Sequence, residues 1–413
     1  MEIRPILSAL LRNKTGAVLV AVQVALSLAI LANALHIVNI RQAVAARPSG
    51  MADENAVFYI NARGLASEGA EQELATQKRE TAILRAVPGV LSVAKTNQMP
   101  MARSGSTTSV SVDRKQVNES ASASQYISPD SLVHTLGLKI SEGRDFRPSD
   151  VMEIDEKTST AFPNGLLVTR ALAEKIWPGG GSAVGKTVYF GTGENANSAQ
   201  VVGVIERFMT THASADEEAE YSLILPVRLA GGNNPGNTYA VRAEPGQRDR
   251  VMKEAEEALR KASPTPIIFK TRTANEDRKE RYRADMAMSW MLVTVSVLLL
   301  LITASGIVGM ASLWVTQRRK QIGVRRALGA RRVDILRYFI IENVMITSTG
   351  VVAGVMLAVG LNQLLVSKLE MARLPLGYVL AGAGVFWALG VAAVYGPAWR
   401  AATISPALAT RSA

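Results

Sequence analysis

Residues 317–343 read QRRKQIGVRRALGARRVDILRYFIIEN. Eight of these side chains, Arg318, Arg319, Lys320, Arg325, Arg326, Arg331, Arg332 and Arg337, are positive, against Asp334 and Glu342. They separate two stretches, 286–317 and 343–367, that contain no Asp, Glu, Lys or Arg; 15–40 and 374–399 are two more. About 20 apolar residues cross a bilayer core as a helix, so four transmembrane helices are expected. Positive charge stays on the cytoplasmic side of such helices. The chain carries a net +11, of which residues 1–41 hold +3 and 286–413 hold +9, leaving −1 for 42–285. The basic loop and both termini are therefore expected in the cytoplasm and residues 42–285 outside it. A basic nucleic-acid surface is excluded by the same arithmetic, because the excess charge belongs to the membrane part.

Ala32-Asn33-Ala34 has the form of a signal-peptidase site, but the apolar run before it exceeds the usual core of about 7–15 residues. An uncleaved anchor is expected. With no cysteine among 413 residues, disulfides and thiol chemistry are excluded. His36, His134 and His212 stand far apart and show no metal-ligand spacing.

Within 42–285, residues 56–60, 69–87 and 90–93 read as strand, helix and strand, the helix stopped by Pro88-Gly89. Residues 238–241, 247–262 and 266–269 repeat the order. Two βαβ units are expected to pack as one α+β subdomain around an insertion at 100–230, where Thr107–Val112 alternates like a half-buried strand. GGSAVGKT at 180–187 fits the phosphate-loop pattern G-x-x-x-x-G-K-[ST]. Its surroundings run helix (169–177), loop, strand (188–190), the reverse of what that motif needs to aim a helix N-terminus at phosphate. A glycine-rich turn is expected there, and no ATP binding.

Residues 271–285 are charged, lack Pro and Gly, and run into the second span. Together with 36–47 they are expected to form a helical stalk. Gly350-x-x-x-Gly354 and Gly360 in the third span, and Gly384-x-x-x-Ala388 in the fourth, have the spacing of close helix contacts. The absence of charge mid-span argues against a proton or ion relay.

RRKQIGVRRALGARR, with Glu342 and a glycine-rich span downstream, resembles the signature loop of MacB/FtsX-type permeases, the membrane subunits of type VII ABC transporters. PAWRAATISPALATR resembles that family's C-terminal ending, with Pro397, Ala398, Pro406 and Ala407-Leu408 in keeping. ALLRNKTGAVLVAVQVALSLAI resembles its lead-in, and LGLKISEGRDFRPSD and VGKTVYF…VVGVI resemble pieces of its periplasmic domain. The resemblance implies an α+β membrane protein of the bacterial inner membrane. Four transmembrane helices would carry a large α+β extracytoplasmic domain between helices 1 and 2.

On that pattern 1–14 is a cytoplasmic amphipathic segment, 15–40 helix 1, and 41–285 the periplasmic or extracellular domain. That domain is a porter (48–100 and 230–270) with a sabre-like insertion (100–230). Residues 286–317 are helix 2, 318–342 the cytoplasmic coupling loop, 343–367 and 374–399 helices 3 and 4, and 400–413 a cytoplasmic tail. Gln321, Ile322, Gly323, Val324, Arg325, Arg326, Ala327, Leu328, Gly329 and Ala330 would form the ATPase-coupling loop, and Gly350, Gly354 and Gly360 the helix packing.

The implied partners are a cytoplasmic ABC ATPase dimer, a second copy or a homologous permease, the lipid bilayer, and a periplasmic membrane-fusion adaptor with an outer-membrane channel. This chain would be non-catalytic and bind no cofactor; ATP and Mg would be held by an ATPase on a separate polypeptide. The expected work is export of a periplasmic substrate such as a peptide, antibiotic, lipid or lipoprotein. The alternative is FtsX-like signalling to an extracytoplasmic enzyme without transport. One departure stands out: Gln321 occupies a position where the family usually has Glu.

Overall fold

The structure is a computed structural model that describes residues 14–64, 69–116, 118–191, 193, 196–232, 236–264, 266–369 and 372–403. The amphipathic segment before residue 14, and Pro406, Ala407 and Leu408 of the C-terminal ending, lie outside the described residues. The chain divides into two compact units: Ala45–Arg283 is one, and Met1–Val44 with Ala284–Ala413 the other.

The first long helix is α1 (Lys14–Ala45). In the α/β unit, β1 (Val57–Gly64), α2 (Ala70–Arg85) and β2 (Val90–Thr96) follow. Gly89 joins the last two with φ +87°, a conformation open to glycine at little cost. Eleven further strands come next: β3 (Thr107–Ser111), β4 (Ala121–Ile127), β5 (Ile140–Gly143), β6 (Met152–Asp155), β7 (Gly165–Thr169), β8 (Thr187–Phe190), β9 (Asn197–Ile205), β10 (Ser222–Leu225), β11 (Val227–Ala230), β12 (Gly236–Ala243) and β13 (Ile267–Thr273). Short helices α3 (Leu132–Leu136) and α4 (Arg170–Ile176) lie among them, and α5 (Arg248–Ala262) joins β12 to β13.

The outer elements form a four-stranded sheet in the order β13-β1-β12-β2, every neighbour antiparallel. Two βαβ units interleaved in this way make the ferredoxin-like βαββαβ arrangement. Phe58, Ile60, Tyr239 and Val241 turn toward α2 and α5, where Leu84, Val251, Ala255 and Leu259 meet them. The spacing of the last three, four residues apart, puts them on one helix face. Val57, Ala94 and Ala240 face the other way and pack on Tyr126, Leu132, Leu136 and Phe208. A sheet covered on both sides explains why the central strands β1 and β12 bury consecutive residues rather than alternate ones.

Between β2 and β12, the strands β9-β7-β10-β4-β3-β8 follow one another and β8 pairs back to β9, closing a ring of six. Closure removes the free strand edges that a small sheet would expose. Its core holds Val110, Leu166, Val168, Leu172, Val188 and Leu223. β5 adds to β9, and β6 with β11 forms a separate parallel pair. In GGSAVGKT, α4 precedes and β8 follows, so the segment is helix, turn, strand. Lys186 Nζ lies 5.0 Å from the Trp177 ring centroid, and the Gly185 amide donates to Val201 O at 2.8 Å.

The other unit contains α1 as far as Val44, α6 (Ala274–Gln317) from Ala284 onward, the short α7 (Arg319–Ala327), α8 (Arg332–Leu369) and α9 (Leu376–Ala402). α1, α6, α8 and α9 are long and apolar enough to cross a membrane. At 1.5 Å per residue α6 is about 66 Å long, twice a bilayer core. α1 is the central helix: 56% of its apolar window is buried, against 17–33% for the other three. Val20, Val24, Leu28 and Leu31 of α1 share a core with Ile307, Trp314, Ile346, Val351, Phe386 and Val394. Trp290, Leu301, Met356 and Leu380 are exposed, the face a lipid would cover.

Polar links cross this core although no charge lies mid-span. Ser27 Oγ and Thr303 Oγ1 are 2.9 Å apart and Asn33 Nδ2 donates to Ala358 O at 3.1 Å, while on the outer face Trp387 Nε1 donates to Ser348 Oγ at 3.1 Å. Ala32-Asn33-Ala34 lies buried inside α1. Arg41 pairs with Asp285.

Candidate coupling site

The basic stretch folds as a helical hairpin. α6 stops at Gln317, Arg318 leaves helical geometry (φ −99°, ψ 10°), and α7 begins at Arg319. Ile322 and Gly323 are buried, Ile322 in the same core as Ile335, Phe339, Ala398, Ala401 and Ala402. Gly329, at φ +94°, ends α7. The amide of Ala330 donates to Arg325 O (3.1 Å) and that of Gly329 to Arg326 O (3.2 Å). This is a Schellman ending, which requires a left-handed residue at that position. At the entry to α8, Asp334 Oδ2 accepts the Arg331 amide at 3.0 Å and sets a negative charge at the positive end of the helix.

The other side of the hairpin is apolar and open. Val324 is 51%, Leu328 83% and Val333 65% exposed. Around them Arg319, Lys320, Arg325, Ala327, Arg331 and Arg332 are exposed, and Arg326 is half-buried. A large apolar residue this bare, ringed by cations, has the composition of an interaction surface.

An ion pair fixes the hairpin to the bundle. Arg318 Nη1 donates to Glu342 Oε1 (2.9 Å) and Oε2 (2.8 Å) and to the Tyr338 hydroxyl (3.3 Å). The Glu342 side chain is 1% exposed. Breaking a pair so enclosed strands a charge, which costs several kcal/mol where burial is complete. Arg325 sits 5.2 Å over the Tyr338 ring. Arg318, Gln321, Ile322, Arg325, Ala330 and Tyr338 surround a cavity of about 200 Å³, with Asp334, Ile335 and Phe339 completing its wall.

Gly350 and Gly354 lie against α1. A Cβ at Gly350 would stand 2.7 Å from Ala21 O, and one at Gly354 3.0 Å from Ala25 O. Among the described residues, Gly360 and Gly384 have nothing within 4 Å of that position and make no close helix contact. Sequence spacing missed Gly382, whose Cβ would meet Leu28 at 2.6 Å, and Gly390, packed on Asn343 and Thr347. It also gave Glu342 no role, although a lone carboxylate at the edge of a charge-free stretch, facing arginines, is the signal.

In the α/β unit a second ionic cluster holds the start of α6. Arg278 Nε and Nη2 donate to Glu54 Oε2 (2.7 Å) and Oε1 (2.6 Å), and its Nη1 to Ala45 O (2.8 Å), the last residue of α1. Burial alone would raise the Glu54 carboxyl; hydrogen bonds from Arg278 and Ser49 outweigh it and hold the group below its ordinary value. A bidentate guanidinium of this kind fixes orientation as well as charge. Arg281 Nη2 donates to Ala213 O at 3.1 Å, and Arg272 Nε lies 2.8 Å from Asp277 Oδ1.

Two family descriptions match the chain: "MacB-like periplasmic core domain" over residues 23–260 and "FtsX-like permease C-terminal" over 293–406. Among similar curated proteins is a macrolide export ATP-binding/permease protein MacB of Agrobacterium fabrum, 28% identical over 73% of this chain and 45% of its own. Another is a pyoverdine export ATP-binding/permease protein PvdT of Pseudomonas savastanoi, 33% identical over 52% of this chain and 33% of its own. A MacB of Syntrophobacter fumaroxidans is 31% identical over 45% of this chain and 26% of its own. The chain thus spans less than half the length of these relatives. A solved heavy metal efflux pump aligns at 14% identity over 84% of this chain and 32% of its own, with a TM-score of 0.18. With matches at both ends and the core-domain match alone covering more than half of its residues, the chain belongs to the MacB/FtsX-like permease family.

Proposed function

We propose that the chain is the permease part of an ABC exporter, in which ATP hydrolysis by a cytoplasmic ATPase drives motion of the α/β unit on the far side of the membrane. The observation that carries this reading is the α7–α8 hairpin. It presents Val324, Leu328 and Val333 in a basic rim, while Ile322 and the Arg318–Glu342 pair anchor it to the bundle. A load applied there would reach the spans through packed side chains. α1 and α6 would pass it on as stalk helices: Arg41 joins Asp285, and Arg278 holds Glu54 and the carbonyl that ends α1.

Positive-inside charge supports a cytoplasmic hairpin and termini, with residues 41–285 periplasmic. On this reading the porter is the ferredoxin-like part and the sabre-like insertion the closed barrel. The relatives named for macrolide and pyoverdine export support outward transport of a periplasmic substrate. A dimer of permeases, with a membrane-fusion adaptor and outer-membrane channel, completes the proposal.

The test is capture of the ABC ATPase by the full chain in lipid nanodiscs. Leu328→Asp with Val324→Asp should lower ATPase capture at least about tenfold, the equivalent of roughly 1.4 kcal/mol. Melting should be unchanged, because both side chains are exposed. Wild-type capture by this double variant would defeat the reading.

A further inference from the structure

The cavity beneath the α7–α8 hairpin shares Arg325 with the rim of the exposed apolar surface just described, and the rest of its lining has its own chemistry. Ile322, Ile335 and Phe339 give it apolar walls, and Arg318 and Arg325 bring two guanidiniums. That of Arg318 is committed to Glu342. That of Arg325 rests on the π face of Tyr338, and among the described residues no carboxylate lies at ion-pair distance from it. Gln321 adds amide hydrogen-bonding capacity without charge. Asp334 also borders the cavity, and its Oδ2 is taken up by the Arg331 amide at the start of α8.

Exposed aromatic side chains near the end of α9 bear on the level of the cavity in a membrane. Trp314, in the last turn of α6, is buried in the bundle core, its ring centroid 6.0 Å from the Arg318 guanidinium. Tyr395 and Trp399 stack 6.2 Å apart near the end of α9 and are 51% and 47% exposed. The neighbouring Ala398, Ala401 and Ala402 share a core with Ile322 and Ile335, at the cavity wall. Exposed Trp and Tyr gather at the headgroup level of a bilayer. An uncommitted arginine in a half-apolar cavity at that level is placed to meet lipid phosphate.

We infer that the cavity between α7 and α8 binds the phosphate headgroup of one anionic phospholipid, with Arg325 as its charge partner. Ile322, Ile335 and Phe339 cover the glycerol end. The volume, about 200 Å³, is below the range of roughly 300–1,000 Å³ typical of pockets for drug-sized ligands, and suits a headgroup fragment. A lipid seated there would brace the hairpin against the bundle from the membrane side, leaving Val324, Leu328 and Val333 free. The inference needs the chain to span a membrane, and it does not depend on the ATPase reading.

The test is native mass spectrometry of the delipidated full chain, with no ATPase present. Phosphatidylglycerol or phosphatidylcholine is added at equal concentration, with and without inorganic phosphate. The wild type should retain one phosphatidylglycerol with about fivefold preference, the worth of one arginine near a membrane surface. Arg325→Gln should abolish the preference, as should Gln321→Glu, which sets a carboxylate beside Arg325. Arg319→Gln, at an exposed residue outside the cavity, should keep it. Equal retention of both lipids by the wild type, or an undiminished preference in both cavity variants, would overturn the inference. Displacement of the lipid by equimolar inorganic phosphate would overturn it too, by assigning the cavity to a free anion.

Discussion

Gly350 and Gly360 share a helix, yet only one of them carries packing. Gly350 and Gly354 are four residues apart and face α1 together; Gly360 is six residues further on, about 240° around the helix. Pattern-reading saw that small residues were present, but the carbonyls of Ala21 and Ala25 decide which of them matter, and no local signal reveals those. Gly384 fails for the same reason, being two residues from Gly382 and so on the opposite face. Gly350→Val should destabilise the bundle by about 1–3 kcal/mol, the usual cost of overpacking, and lower its melting temperature in detergent. Gly360→Val should melt like the wild type. Equal melting of the two variants would show that α1 does not approach α8 as described.

Lys95 of β2 is the other residue whose environment sequence could not disclose. Burial pushes its ammonium down to about 8 against the attraction of Glu73, Asp130 and Glu156. The folded chain then loses this proton below the ordinary lysine value of 10.5, while the unfolded chain keeps it up to that value. Between about pH 8 and 10.5 the unfolded state binds more protons, so this residue makes stability rise with pH, by up to about 3 kcal/mol. Below pH 8 the cost of the buried charge is fully present. Melting of Lys95→Met followed from pH 7 to 10 should lack that rise and start from a higher value at pH 7. An unchanged slope would place the charge in solvent.

At the scale of elements, the two βαβ units were legible because helix and strand periods alternate there with clear stops, as at Gly89. The closed barrel was not. Its strands are four to nine residues long, β10 pairs with β4 and β7 with β9 in parallel, and those partners are far apart in sequence. Pairing of that kind is set by tertiary packing rather than by any local run. The α7–α8 hairpin was legible as a basic loop, but not as a clamped one. Glu342→Ala should leave Arg318 unpaired, lower melting, and speed tryptic cleavage at Arg325 and Arg326, while α/β-unit sites such as Lys157 are cut at the wild-type rate. Slow cleavage in this variant would mean that Ile322 alone anchors the hairpin.

For the whole molecule, the decisive information lay in charge. Four charge-free stretches correspond to the four long helices, and the arginines between the second and third give the proposed sidedness. The proposed export requires the hairpin and the α/β unit to lie on opposite sides of one membrane. The chain contains no cysteine, so single cysteines report without background. The most direct measurement is labelling of Thr160→Cys and Leu328→Cys by a membrane-impermeant maleimide in sealed spheroplasts and after permeabilisation; both native residues are exposed. Thr160→Cys should label in sealed spheroplasts, and Leu328→Cys only once the membrane is opened. Labelling of Leu328→Cys in sealed spheroplasts would contradict the account.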